Sequence, residues 1–216
     1  MPKISVLTPS IRPKSLAITQ KCLADQTYQD FEWLVEIGIL SRGCDLSKAF
    51  NKMLKRARGE WVVILEDYVK IKPDGLEKFL KIADKKKLFT GAVGKTLDWK
   101  NIKWDWRERG DFREIDFRCW EIDWAFGPLQ AFRDVGGFEE EYDQFWSNEN
   151  VEIACRMSRC GYKFYVMPEN KAIQYDHDKK FKHPFRKKFN PIFHSAWLKD
   201  IEMGNKPIKT NYLTDH

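Results

Sequence analysis

No stretch of this chain approaches the roughly 18 consecutive apolar residues that a membrane-spanning helix requires. With 32% charged residues and a mean hydropathy of -0.58, the composition is not that of an integral membrane protein. The opening Met1-Pro2-Lys3-Ile4-Ser5-Val6-Leu7-Thr8-Pro9 lacks the apolar core of about 7 to 15 residues and the small-residue cleavage site of a signal peptide, so a cytoplasmic protein is expected. Cysteine is sparse and irregular. Five residues (Cys22, Cys44, Cys119, Cys155, Cys160) cannot form a complete disulfide framework and contain no CxxC pair, so reduced thiols are expected. No internal repeat and no Pro/Gly/Ser linker divides the chain. A mass of 25.7 kDa implies a folded surface of roughly 10,400 Å² against about 37,000 Å² unfolded, enough for one well-cored domain.

What is present is uneven. The net charge is +6, of which residues 178–216 carry +5, leaving the first 177 residues at +1. Lys179, Lys180, Lys182, Arg186, Lys187 and Lys188 alternate with Phe181, Phe185 and Phe189. Such a segment suits phosphates, an anionic membrane surface or nucleic acid, or is simply a solvated basic stretch. The nearly neutral body and its acids at strand ends argue against a nucleic-acid footprint.

Ile4 to Thr8 reads as a strand stopped by Pro9, and Lys14 to Asp25 as a helix with Leu16, Ile18, Cys22 and Leu23 at helical spacing. Phe31 to Val35 is a second strand, Leu46 to Arg58 a second amphipathic helix ending at Gly59, and Trp61 to Leu65 a third, almost uninterruptedly apolar strand. Strand-helix alternation predicts parallel βαβ units, hence an α/β fold. Ligands collect beyond the carboxyl ends of such strands, at Thr8 to Arg12, Glu36 to Gly38 and Glu66 to Tyr68. Further on, Trp99, Trp104, Trp106, Trp120 and Trp124 stand among charges, a Gly136-Gly137 turn follows, and a helix runs from about Asn150 to Cys160, closed by Gly161.

Glu66 and Asp67 leave the buried third strand together. Carboxylate oxygens there suit Mg²⁺ or Mn²⁺ bridging to a diphosphate; alternatively, one acid caps the next turn and the other is solvated.

The ordered segments resemble the family 2 glycosyltransferases of the GT-A fold over most of residues 3–177. Ile4 to Pro13 is similar to the family's opening strand and loop, and Gln26-Thr27-Tyr28-Gln29-Asp30-Phe31-Glu32 to its Q-T-Y-x-D-F-E turn. Leu46-Ser47-Lys48-Ala49-Phe50-Asn51 and Ala57-Arg58-Gly59-Glu60-Trp61 resemble L-S-x-A-x-N and A-x-G-E-[YW]. Val135-Gly136-Gly137-Phe138-Glu139-Glu140 resembles V-G-G-F-D-E, and Glu149-Asn150-Val151-Glu152 with Arg156 and Gly161-Tyr162-Lys163 resembles E-D-x-[DE]-x-x-x-R followed by G-Y-[KR].

This resemblance implies a Rossmann-like, mostly parallel central sheet flanked by helices, in a single domain with a basic C-terminal tail. Residues 1–177 would form the glycosyltransferase domain, with a nucleotide-sugar-binding half to about residue 96 and an acceptor half from 97 to 177; residues 178–216 would be the basic aromatic segment. It implies donor-binding residues Thr8, Pro9, Ser10, Arg12, Glu36, Asn51, Glu66 and Asp67, with Glu36 where the family usually has an Asp on the uracil ring. Glu66 and Asp67 fall at the D-x-D position, with Tyr68 replacing the last acid, and His177 matches a late metal-binding histidine, so Glu66, Asp67 and His177 are the expected ligands of Mn²⁺ or Mg²⁺. The family's base position holds Asn150, which makes Glu149 the candidate base and Glu152 the second choice; the alternative is that Glu149 only caps its helix. Trp146, Asp123 and Trp124 are candidate acceptor contacts, although burial in the core competes for any one tryptophan.

The implied activity is metal-dependent, inverting transfer of a sugar from a nucleoside-diphosphate donor, with UDP-sugar the first expectation, to a hydroxyl of a glycan, lipid-linked or protein acceptor. On this reading Lys179, Lys180 and Lys182 would close over the diphosphate when donor is bound, and docking of residues 179–189 on an anionic membrane surface is compatible with it, which would make the protein peripheral there. The rival reading, prompted by Tyr68 and Asn150, is a sugar-nucleotide- or carbohydrate-binding protein that has lost turnover.

Overall fold

The structure is a computed structural model that describes residues 1–11, 13–38, 45–144, 148–175 and 191–213. Its strands are β1 Ile4–Ser10, β2 Phe31–Ile37, β3 Trp61–Leu65, β4 Val69–Ile71, β5 Lys87–Thr96, β6 Lys103–Trp104, β7 Arg113–Ile115, β8 Trp124–Pro128 and β9 Lys163–Tyr175. The helices are α1 Leu16–Ala24, α2 Leu46–Arg56, α3 Gly75–Lys81, α4 Leu129–Asp134, α5 Glu149–Arg159 and α6 Pro191–Glu202.

All the strands join one sheet in the order β2-β1-β3-β8-β5-β9-β4, with β6 added to β5 and β7 to β9. β2, β1 and β3 run parallel, with Ile4 opposite both Phe31 and Trp61. β8 enters antiparallel between β3 and β5, and β5 pairs parallel with β9. The carboxyl ends of β1, β2, β3, β5 and β9 therefore lie along one edge, where the candidate site residues Glu36, Glu66 and Asp67 follow or end their strands.

Alternation along the strands feeds two cores. Leu7, Val62 and Ile64 face Phe50, Met53 and Leu54 of α2, Phe132 of α4 and Ile153 and Met157 of α5. Ile4, Val6, Val63 and Leu65 face Cys22 and Leu23 of α1 and Leu76 and Phe79 of α3. Because helices cover both faces, β3 reads as a continuous apolar run rather than an alternating one.

A third cluster joins Val151 and Cys155 of α5 to Trp197, Leu198 and Ile201 of α6, with Tyr142 between them. Thr210 then hydrogen-bonds the Val135 and Gly136 carbonyls, and the Tyr212 hydroxyl donates to Glu139. Residues 191–213 thus pack on the body, while the basic aromatic run 178–190 lies outside the described residues. Cys22, Cys119, Cys155 and Cys160 carry free thiols. Among the described residues no helix is long and apolar enough to cross a membrane.

Candidate active site

Glu66 follows β3 directly. Its backbone N–H donates to the Asp123 carbonyl, which fixes the end of β3 against the start of β8. One of its carboxylate oxygens, Oε2, is buried without a hydrogen-bond partner, and the Tyr68 side chain bonds the carboxyl group. Burial, reinforced by the charges of Asp123, Glu149 and Asp67, pushes Glu66 up to about 8. Each factor penalises the charged form, so a nearby cation would relieve all of them at once.

Asp123 is oriented by a residue that no motif singles out. Arg107, 2% exposed, grips both Asp123 oxygens at 2.7 and 2.9 Å, bonds Asp105 through Nε and Nη2, and donates to the Thr90 hydroxyl. An arginine in a run rich in charges and tryptophans carries no pattern that separates it from solvated neighbours. Glu121 is raised by burial and by Asp123, and Asn150 extends towards it at 3.5 Å.

Asp67 is almost wholly buried. Its Oδ2 accepts from the Ser10 hydroxyl at 2.5 Å and the Ser15 hydroxyl at 3.0 Å, and its carbonyl accepts from Thr19 at 3.1 Å. The pair that sequence placed at one metal site is therefore split: Glu66 keeps an open oxygen, and Asp67 ties β3 to the end of β1 and the start of α1. Among the described residues no group of three His, Cys, Asp or Glu is arranged to hold a metal ion. The fit to a divalent cation rests on the orphaned oxygen of Glu66.

On the donor side, Thr8 is buried and accepts from the Trp33 indole at 2.9 Å. Pro9 lies opposite Glu36 in the β1/β2 register, so the residues expected around the nucleoside meet at one edge. Glu36 also accepts from Lys52 at 3.0 Å and Arg56 at 3.3 Å. Arg12, Trp146 and His177 lie outside the described residues.

Three of the expected site residues are engaged in the packing of the body. Asn51 is 2% exposed and clamps Phe138 through both its N–H and its carbonyl, also bonding Glu140, so it holds α2 to the Gly136-Gly137 turn. Trp124 is fully buried against Phe79 with its indole N–H on the Asn170 carbonyl, and it has no face to offer an acceptor. Glu152 is 1% exposed and bonded to Arg156 at 2.8 and 2.7 Å, a structural pair rather than a base. Asn150 likewise spends its amide on the Trp120 carbonyl at 2.7 Å. Glu149, the first residue of α5, is the acid of that segment whose charge reaches Glu66.

Comparison with known proteins fits this architecture. Residues 21–135, just over half of the chain, match the family Glycosyl transferase family 2, and the chain belongs to that family. Solved structures of similar fold include TarS of S. aureus, residues 1–349, in complex with UDP-GlcNAc. It is 15% identical with a TM-score of 0.61, over 84% of this chain and 60% of that one. A second TarS structure is 16% identical with a TM-score of 0.61, over 81% and 37%. The fold is GT-A. The chain spans at most about 60% of the length of these relatives. No curated protein matches it in sequence.

Proposed function

We propose that the protein transfers a sugar from a nucleoside-diphosphate donor to an acceptor hydroxyl, with inversion. The observation that carries this reading is the buried, unpartnered oxygen of Glu66 among Asp123 and Glu149, at the carboxyl edge of the parallel strands in a family 2 fold. The β1 and β2 ends would hold the nucleoside between Pro9 and Glu36. Glu66, held by Tyr68, would contribute its unpartnered oxygen to a divalent cation, while Asp67 holds the end of β3 to β1 and α1. That cation, Mn²⁺ or Mg²⁺, supplies charge to offset the departing diphosphate.

Glu149 takes the proton of the acceptor hydroxyl as its oxygen bonds to the anomeric carbon and the bond from that carbon to the diphosphate oxygen breaks. Arg107 keeps Asp123 fixed beside Glu66, so the acidic wall does not collapse when donor enters. Because TarS was solved with UDP-GlcNAc, that compound is the first donor to test.

The test is calorimetric titration of UDP, GDP and dTDP in the presence of Mn²⁺ and again with EDTA, using Glu66→Gln as control. One nucleotide should bind with metal only and lose affinity in the variant; no binding of any would overturn the reading. A second reading, binding without turnover, is favoured by Asn150 at the family's base position with its amide already engaged. It predicts the same titration but no release of nucleotide from UDP-GlcNAc with any acceptor.

A further inference from the structure

The residue before Glu149 has an unusual backbone. Asn148 is the N-cap of α5 and adopts φ 76° and ψ 11°, the left-handed region, whereas an N-cap residue ordinarily sits in the β region. An asparagine at the start of a helix usually serves through its side-chain oxygen, which accepts from a backbone N–H of the first turn. Asn148 makes no such cap. It serves the helix through its backbone, the carbonyl accepting from the Glu152 N–H at 2.9 Å. Tolerance of positive φ, which asparagine shares with aspartate and glycine and which other side chains resist, accounts for the residue type.

The rest of α5 is held from several sides. Asn150 donates to the Trp120 carbonyl at 2.7 Å, and Arg156, paired with Glu152, donates to the Val135 carbonyl at 2.6 Å and the Gly137 carbonyl at 2.8 Å. Val151 and Cys155 are buried against Trp197, Leu198 and Ile201 of α6. The position and rotation of the helix are thus fixed from its second residue onward. The direction in which Glu149 leaves the first turn is then set by the dihedral angles of the residue before it. The charge of Glu149 is felt at both Glu66 and Tyr142, so the present turn brings its carboxylate within electrostatic reach of the end of β3.

We propose that Asn148 is a positioning residue, whose left-handed backbone aims the Glu149 carboxylate at the acceptor hydroxyl. This rests on the glycosyl-transfer reading, in which Glu149 is the base. A side chain that resists positive φ would relax by turning the peptide unit between residues 148 and 149, and Glu149 with it, while the anchored body of α5 stays in place. The preference of an ordinary residue against the left-handed region corresponds to a population ratio of about five- to thirtyfold. The aimed arrangement should become scarcer by that factor, and transfer slower in proportion.

The experiment compares Asn148→Gly with Asn148→Ala in the full chain. Both remove the side-chain amide and they differ by one Cβ, so their difference isolates the backbone. The readouts are calorimetric affinity for UDP with Mn²⁺, release of UDP from UDP-GlcNAc, and urea unfolding to establish that each variant is folded. Asn148→Gly should release UDP within about twofold of the unaltered rate. Asn148→Ala should release it about five- to thirtyfold more slowly, with UDP affinity unchanged in both variants. Should Asn148→Ala not fold, Asn148→Ser, which also resists positive φ, takes its place under the same expectation. A turn that is merely structural would shift the urea midpoint and leave the two release rates equal. Equal rates, or a fall in UDP affinity in Asn148→Ala, overturn the positioning role. No release by the unaltered protein, although UDP binds, fails the transfer reading and the positioning role with it. Release by the unaltered protein that Asn148→Ala retains in full removes the positioning role alone.

Discussion

Glu66 is a single carboxyl group whose ionised form is costly to the fold, because burial and the nearby acids Asp123, Glu149 and Asp67 all disfavour its charge. Its ordinary value near 4.5 is raised to about 8 in the folded chain, so between these values the folded state binds a proton that the unfolded state has released. The stability that Glu66 contributes in metal-free protein is therefore complete below about pH 4.5 and lost as the pH rises through 8. Glu66→Gln should match the unaltered protein in urea unfolding at pH 5 and exceed it by about 1–3 kcal/mol at pH 9; equal stability at both values would remove the buried charge from the account. Glu149 answers to a different measurement. Replacing it with Gln should leave nucleotide affinity unchanged and lower the transfer rate about 10²- to 10⁴-fold, the usual worth of a general base. A drop in binding with turnover intact would make Glu149 a cap of α5 and nothing more.

At the scale of elements, the motifs most visible in the sequence prove to be joints. Gly136 and Gly137 adopt φ 73° and 93°, and a Cβ on Gly136 would stand 1.8 Å from the Thr210 carbonyl oxygen. Arg156 completes the joint by donating to the Val135 and Gly137 carbonyls while paired with Glu152. Gly136→Ala should thus expel residues 205–213 and cost about 2–4 kcal/mol in urea unfolding, more than a glycine in an ordinary turn. If hydrogen exchange at Thr210 is unchanged in that variant, the clash has been absorbed elsewhere. The strands β1 and β3, the helices α1, α2 and α5 and this turn are legible because burial on both faces, helical spacing and positive φ each leave a residue-level mark. The strand β5 is not, since Gly91 and Gly94 interrupt its apolar pattern to admit Trp124 and Trp104. Nor is α6 apparent beside the basic run, because what makes it structural is its contact with α5, a partner distant in the chain.

For the whole molecule, the site was legible as acids at strand ends but not in its division of labour. Which of two adjacent carboxylates is left with an unpartnered oxygen depends on Ser10 and Ser15 reaching Asp67, and which tryptophan is core depends on the register of β8 against β3 and β5. Neither is encoded in local spacing. The consequence is a buried carboxyl at Glu66 that keeps its proton at neutral pH, so a cation that binds its ionised form should stabilise the entire fold by mass action. At a hundredfold excess over its dissociation constant, the linkage is worth about 2.7 kcal/mol, which for a domain of this size raises the melting temperature by roughly 5–10 °C. Mn²⁺ should give this rise in the unaltered protein at pH 7.5, EDTA should reverse it, and Glu66→Gln should show little of it. Because the ion displaces the proton that Glu66 otherwise retains, the rise should grow from pH 6 to pH 8. A shift of equal size in Glu66→Gln would place the cation elsewhere and leave the raised carboxyl as a feature of the fold alone.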